Sequence, residues 1–487
     1  MSASQTAMAT AVATAHATFR EHNPVSAEVH AKAAEHMPGG NTRTVLYAEP
    51  FPVAIASADG NTLTSADGRT YVDFLGEFSA GLFGHSHPKI AAALETAMRG
   101  GWNYGGESLC EKTLAARVTE RFAAGGLDLV RFTNSGTEAN TFAIGAALTF
   151  TGRQSILVFS SGYHGGTFIF PMNLCRWMHA GGKATGTEPP CHTMNLPHDF
   201  VAAPWNNVAE TAAIVDRLPP NSLAAVLVEP IQGSGGCRPA SPAFLRYLRQ
   251  TCDRLGALLI ADEVMSSRLG PSGSLATHEY GLRADLLSFG KWIGGGMTFG
   301  AFGGRRDVMA LFDPSLGPER RLMHPGTYNN NVFTMYAGIA GLELYDAAAV
   351  AALNARGDRL KTGITKALFA SGAYPHADDP AARHLHDVLE VDSFAGQTRL
   401  YAGEDQPTLP LPKVFLASRG SMLNLRFSGP SAGLWHNLYY HFMLEQGIYM
   451  ASRGYTPLNL VITDDNVDSF IVAVAAFLDK HKAELAA

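Results

Sequence analysis

The chain has 487 residues and a mass of 51.9 kDa, and its 46% hydrophobic content can fill the cores of two domains without disulfide or metal staples. Its 37 Lys and Arg against 43 Asp and Glu give a formal charge of −6, and no basic run interleaves with aromatics, which excludes a nucleic-acid groove. The five scattered cysteines (Cys110, Cys175, Cys191, Cys237 and Cys252) lack the spacings of a disulfide framework or a structural zinc site, which fits a reducing, cytoplasmic setting, and no stretch reaches the roughly 18–20 apolar residues of a membrane span.

Residues 1–19, "MSASQTAMATAVATAHATF", are rich in Ala, Thr and Ser and lack acids, as transit peptides do, but Arg20 is the only basic residue nearby. We expect a frayed or surface-docked tail over 1–24. "NPVSAEVHAKAAEHMPGG" reads as a helix stopped by Pro38 and two glycines, and Val53 to Phe74 as short antiparallel strands turning at "ADGN" and "ADGR". Two helices follow, "HPKIAAALETAM" and "ESLCEKTLAARVTERF". From Leu129 the pattern becomes strand, turn and helix in "LVRFTNSGTEANTFAIGAALTFTG", then strands in "SILVFSSGYHG", "LAAVLVEPIQG" and "ALLIADEVMS", the last two separated by the amphipathic helix "SPAFLRYLRQTCDRLG". Continuous apolar strands joined by helical crossovers predict a largely parallel sheet covered on both faces, with its polar residues gathered at the strands' C-terminal ends. The expected division is an N-terminal part of a small domain over 25–74, a large α/β domain over 75–345, and a small α+β domain over 346–487, with strands near "SMLNLRFS" and "PLNLVIT" and a long excursion over 377–413.

Several of these ends carry residues suited to chemistry. "DLLSFGKWIGGGMTFGAFGG" holds a single lysine among glycines and apolar residues, a costly place for an amine unless it is paired, solvated or consumed by Schiff-base formation. The glycines after Lys291 read as room for backbone to pass close to a ligand. Asp262 directly follows "LLIA"; taken alone it is a helix cap, a solvated strand end, or a carboxylate that keeps a cationic ring nitrogen protonated. The turn "NSGTEA" presents Ser135, Gly136 and Thr137 at a helix start, which makes either a phosphate cradle or an ordinary cap. Tyr163 and His164 offer an aromatic face for a planar cofactor, or a tyrosine that closes the core.

In this order, "NSGTEAN", "YHGG", "VEPIQG", "IADEVMSSR", "FGKWIGGG" and "HPGTYNNNV" closely resemble the motifs of fold-type-I pyridoxal-phosphate enzymes, and among them the class III aminotransferases, over about residues 30–480. The resemblance implies a large, mostly parallel seven-stranded sheet domain with a smaller α+β domain. It implies that Lys291 holds pyridoxal 5'-phosphate covalently and shuttles the proton. Asp262 would bind the pyridinium nitrogen, and Ser135, Gly136 and Thr137 the phosphate. Tyr163, with His164 beside it, would stack on one ring face and Val264 press on the other, while Glu229 and Gln232 line the pocket. Thr327 would reach the phosphate of a neighbouring subunit, which implies a homodimer with composite sites. No metal is implied.

Within the family, "MPGGNTRTVLYAEPFPVAIASADG" is similar both to the glutamate-1-semialdehyde aminomutase and to transaminases of aromatic β-amino acids. After Ser452 the aminomutase pattern expects a glutamate that this chain lacks; Arg453 stands there, and with Arg43 it resembles the β-amino acid transaminases, where two arginines take the carboxylates of the donor and of the 2-oxo acid acceptor. Either arginine is otherwise a surface ion pair. The expected reaction passes the amino group of a β-amino acid such as β-phenylalanine to pyruvate or 2-oxoglutarate. An amine:pyruvate transaminase, an aminomutase and a racemase are the alternatives.

Overall fold

The structure, a computed structural model of the chain, describes residues 3–170, 174–179, 199–316, 321–372 and 413–486. Cys191 and residues 377–412 of the expected excursion lie outside the described residues. The described residues form two compact units, one built from the two ends of the chain (up to His87 and from Leu353 onward) and the other from Pro88–Ala352.

The terminal unit opens with α1 (Ala3–His22) and α2 (Pro24–Ala34). The segment expected as a tail is therefore a helix. Met8, Val12 and Phe19 are buried on one side of it, and His16 Nε2 lies 2.8 Å from Asn437 Oδ1 on the helix Ala432–Glu445. The strands β1 (Ile55–Asp59), β2 (Thr62–Ser65) and β3 (Thr70–Asp73) form an antiparallel meander.

The second unit starts with α3 (Pro88–Gly100) and α4 (Leu109–Phe122). Its break from the terminal unit falls after His87, not at residue 75, because Leu75–His87 is bound back onto the terminal unit: His85 Nε2 lies 2.9 Å from Asp73 Oδ2, and the Leu460 N–H donates to the Leu82 carbonyl at 2.8 Å. The later break lies beyond 346, inside the unbroken helix Ala347–Ala370.

The core of this unit is a seven-stranded sheet built from β4 (Leu129–Thr133), β5 (Ser155–Phe159), β6 (Asp199–Ala203) and β7 (Leu223–Val228), and, after the small hairpin of β8 (Ile231–Gln232) and β9 (Arg238–Pro239), from β10 (Leu258–Asp262), β11 (Leu286–Gly290) and β12 (Gly300–Gly304). The strand order is β4-β12-β11-β10-β7-β5-β6; β12 is antiparallel to both neighbours and the remaining pairs are parallel. This is the fold-type-I arrangement expected from the motifs. β7 and β10 are buried along their whole length, each large aliphatic side chain stabilising the core by about 1.5–3 kcal/mol, which is why their sequences run apolar without alternation.

β12, "GAFGG", is a strand, although its glycines read in the sequence only as room for backbone beside a ligand. It is sandwiched between β11 and β4, and a β-carbon on Gly300 would collide with the Ser135 carbonyl and the Thr133 hydroxyl. Gly300 thus makes room for the chain's own turn, which corrects the reading of this glycine as space for a ligand.

The terminal unit is completed by β13 (Val414–Arg419), β14 (Met422–Phe427), β15 (Ile448–Tyr449) and β16 (Tyr455–Pro457); β15 extends the meander parallel to β3, and β13-β14-β16 form a separate antiparallel sheet. The strand expected over "PLNLVIT" stops at Pro457, because the Asn459 side chain accepts the N–H groups of Val461 and Ile462 and turns the chain. Among the described residues no single helix is long and apolar enough to cross a membrane.

Candidate active site

Strand register gathers the motifs of the second unit at one edge of its sheet. Thr133 of β4 pairs with Gly300 of β12, Gly300 with Gly290 of β11, and Ser288 of β11 with Asp262 of β10. The turn after Thr133, the lysine after Gly290 and the carboxylate at Asp262 therefore come from neighbouring strand ends, where open α/β sheets hold ligands.

Helix α5 (Gly136–Thr151) begins in that turn. Ser135 is its N-cap, accepting the Glu138 N–H at 3.2 Å, while the Glu138 carboxylate accepts the Asn134 N–H at 2.8 Å. The cap consumes the Glu138 donor, and the N–H groups of Gly136 and Thr137 have no acceptor within the helix by position, a ready anion site. Thr137 Oγ1 accepts the Gly166 N–H at 3.0 Å and fixes the "YHGG" turn against the helix start. Gly165, at φ +120°, leaves no room for a β-carbon against Thr137. Val264 covers the junction: a β-carbon on Gly136 would fall 2.9 Å from Val264 Cγ2, and one on Gly290 3.1 Å from Val264 Cγ1.

Asp262 is buried among three hydrogen-bond donors. Its Oδ2 accepts from Asn140 Nδ2 at 2.8 Å and lies 2.7 Å from His164 Nδ1, and its Oδ1 accepts the Val264 N–H at 3.0 Å. His164, expected to share an aromatic face with Tyr163, is instead buried and turned to Asp262; Tyr163 alone is exposed. The neighbouring acid Glu263 takes the capping role: it accepts from Ser266, Ser274 and the first N–H groups of the helix Leu275–Tyr280.

Burial pushes the Glu229 carboxyl up to about 7; His164 opposes the rise and Asp262 adds to it. Glu229 also accepts the N–H groups of Tyr163 at 3.2 Å and Gly233 at 3.0 Å, locking two strand ends together. Gln232 donates to the Ser160 carbonyl at 2.9 Å, and its Oε1, like Asn140 Oδ1 and Ser161 Oγ, is buried without a hydrogen-bond partner among the described residues. These unsatisfied atoms, carried by α5 and by the segments after β5 and β7, leave hydrogen-bonding capacity for a polar ligand.

Lys291 follows β11 at φ +57°, a left-handed conformation that is unfavourable for any residue with a side chain and is typical of strained functional positions. Its neighbour Trp292 anchors it: the fully buried indole donates to Ser267 Oγ at 3.0 Å and lies 5.1 Å beneath the Arg121 guanidinium.

Thr327 is exposed on a loop that the chain holds by its other residues: Asn329 accepts from Asn134 Nδ2 at 3.0 Å, Asn330 donates to Glu111 at 3.0 Å, and Asn331 caps the helix Val332–Leu344. In the terminal unit, Arg43 pairs with Glu77 and lies over the Phe78 ring. Arg453 is exposed in the turn between β15 and β16, with no carboxylate partner among the described residues. Sequence reasoning missed Asn140 and Glu77. Asn140 had a signal, since it lies one helical turn after Gly136 and on the same face of α5.

The family model "Aminotransferase class-III" matches residues 46–373. The chain is 40% identical over 476 residues to a beta-phenylalanine transaminase of Variovorax paradoxus, covering 98% of this chain and 97% of that one. The crystal structure of a beta-phenylalanine aminotransferase from Variovorax paradoxus superposes with a TM-score of 0.82 at 38% identity, covering 98% of each chain, and a transaminase structure with PLP bound gives 0.78 at 28% identity, covering 96% of this chain and 99% of that one. With the motifs assembled at one sheet edge and the likeness running the whole length, the chain belongs to the class-III aminotransferase family.

Proposed function

We propose that the protein is a pyridoxal-phosphate-dependent transaminase that moves the amino group of an aromatic β-amino acid, such as β-phenylalanine, to a 2-oxo acid, leaving a β-keto acid. Full-length likeness to a beta-phenylalanine transaminase carries this reading. The residues present fit the cofactor: an anion-ready helix start, a carboxylate ringed by donors, and buried polar atoms that lack partners among the described residues.

In this reading the first turn of α5, through Ser135, Gly136 and Thr137, takes the phosphate. Asp262, oriented by Asn140 and His164, holds the proton on the ring nitrogen, and Tyr163 and Val264 bound the ring's two faces. Glu229 and Gln232 line the site. When bound, the cofactor supplies an electron sink for the charge left on the donor's C3 once its proton is removed. Lys291 Nζ takes that proton and returns it, and Arg43 and Arg453 grip the carboxylates of donor and acceptor.

The test is a screen of amino donors against pyruvate and 2-oxoglutarate. With 3-amino-3-phenylpropanoate the cofactor's visible absorbance is expected to bleach, and turnover to require the added oxo acid. Turnover without any acceptor points to an aminomutase, and no spectral change with this donor removes the β-amino acid assignment.

The same reading makes the protein a homodimer working in the cytoplasm, where its four described cysteines stay as buried thiols. Six exposed apolar side chains lie on residues 98–109 and 323–328: Leu109 is 85% and Met323 67% exposed, with Met98, Trp102, Tyr104 and Tyr328 beside them in sequence. The two segments are tied together by Asn330, which donates to the Gly106 carbonyl at 3.4 Å, so the loop that carries Thr327 belongs to the same face. Light scattering is expected to give twice the chain mass for the wild type and a single-chain mass for Leu109→Glu, with weakened cofactor retention; an unchanged dimer would place the contact elsewhere.

A further inference from the structure

The four residues Gly76, Glu77, Phe78 and Ser79 have φ of +48°, +49°, +54° and +77°. Three of them carry side chains, for which this run is unfavourable, so something must hold it. Asp73 does: its Oδ1 accepts the N–H groups of Leu75 at 2.8 Å and Gly76 at 3.0 Å, and its Oδ2 lies 2.9 Å from His85 Nε2. The turn is closed by the Ala80 N–H to the Glu77 carbonyl at 3.2 Å and the Gly81 N–H to the Gly76 carbonyl at 2.9 Å. What it builds is a receptor for one arginine. Glu77 pairs with Arg43 Nη1, and the guanidinium carbon stands 5.5 Å from the centre of the Phe78 ring.

A guanidinium uses its face on an aromatic ring and its N–H edge on a carboxylate. Phe78 therefore orients Arg43 without consuming the edge, and Glu77 occupies the edge. A carboxylate on a donor needs the same edge. Both side chains of the pair are about half exposed, so water and small anions reach it and the pair is weak enough to be exchanged.

We propose that Glu77 is a positioning residue: it holds the Arg43 fork as an internal stand-in for the donor's carboxylate, and a β-amino acid binds by displacing it. This rests on the reading of Arg43 as the donor-carboxylate ligand. Phe78 keeps the guanidinium in place while one carboxylate replaces the other. An amine without a carboxylate cannot make that exchange and leaves the internal pair intact. Glu77 therefore lowers affinity for the correct donor and, with Phe78, keeps the Arg43 fork in place until a carboxylate arrives.

The test uses Glu77→Gln, which keeps the side-chain length and the backbone demand at this position and removes the charge. In the holoenzyme, KM for 3-amino-3-phenylpropanoate is expected to fall about two- to five-fold at unchanged kcat, the range that corresponds to an exposed ion pair. Calorimetric binding of the unreactive 3-phenylpropanoate is expected to tighten by the same factor, and that of its neutral amide to stay unchanged. Arg43→Ala, measured alongside, is expected to weaken the carboxylate ligand at least about tenfold and the amide little. If Glu77→Gln leaves carboxylate affinity unchanged or weakens it while Arg43→Ala still discriminates, the stand-in role is wrong and the reading of Arg43 survives. If Arg43→Ala weakens both ligands equally, Arg43 is not the carboxylate ligand and the proposal falls with it.

Discussion

Replacing Lys291 by Ala is expected to leave a folded protein that still takes up pyridoxal phosphate but has lost its transaminase activity, with kcat down by at least about 10²–10⁴-fold from the missing proton transfer alone. Folding is expected to survive because Ala meets the left-handed backbone at this position at the same cost as Lys, and because the anchor of the segment is Trp292, bonded to Ser267, not the amine. Cofactor uptake is expected to survive because the helix start at Gly136 and Thr137 and the carboxylate of Asp262 are untouched. The decisive measurement is borohydride treatment followed by peptide mass spectrometry. Wild type is expected to carry the cofactor's mass on the peptide containing Lys291 and the variant to carry none, with no other lysine taking its place. A variant whose kcat stays within about tenfold of wild type would sink the role given to Lys291.

Much of the large unit was legible in the chain itself. β7 and β10 announce themselves because strands covered on both faces run apolar throughout, and an acid closes each run, Asp262 as the last residue of β10 and Glu229 directly after β7. The helix start at Ser135 was legible because a cap is a local device. β12 was not: its glycines carry the wrong propensity for a strand, and they are there because Ser135, far away in sequence, passes over Gly300. The partners of Asp262 were hidden for a related reason. Asn140 and His164 lie 122 and 98 residues before it, and only the sheet order brings them together. Helix α1 was obscured by its Thr and Ser content, since the few buried residues that dock it, Met8, Val12 and Phe19, are spread thinly along it. The left-handed turn at Glu77 had no sequence signal, because residues that tolerate such backbone, Gly and Asn, are absent from positions 77–79.

The surroundings of Asp262 set up the second large effect, that of Asp262→Asn. Asn140 Nδ2, the Val264 N–H and His164 Nδ1, in the tautomer that protonates this nitrogen, all point donors at the side chain, and an ionised carboxylate is the one side chain of this size that offers only acceptors. An amide satisfies part of that ring and no more. With its oxygen toward Asn140 and His164, its NH₂ meets the Val264 N–H; turned over, its NH₂ meets two donors. Either orientation leaves a buried donor without an acceptor, which costs roughly 1–3 kcal/mol, and loss of the charge beside His164 adds to that. The melting temperature of the cofactor-free protein is therefore expected to fall. Catalysis is expected to fall independently, by about 10²–10³-fold in kcat, the size of removing one preorganised electrostatic contact, because a neutral amide no longer holds the proton on the ring nitrogen. The two effects separate by comparison with Asn140→Ala, which removes one donor from the same buried ring but leaves the carboxylate charged. That variant is expected to lose stability on a similar scale while keeping most of its kcat. Equal losses of kcat in the two variants at equal cofactor content would mean that Asp262 acts through packing and hydrogen bonding alone, and the electrostatic role assigned to it would have to be given up.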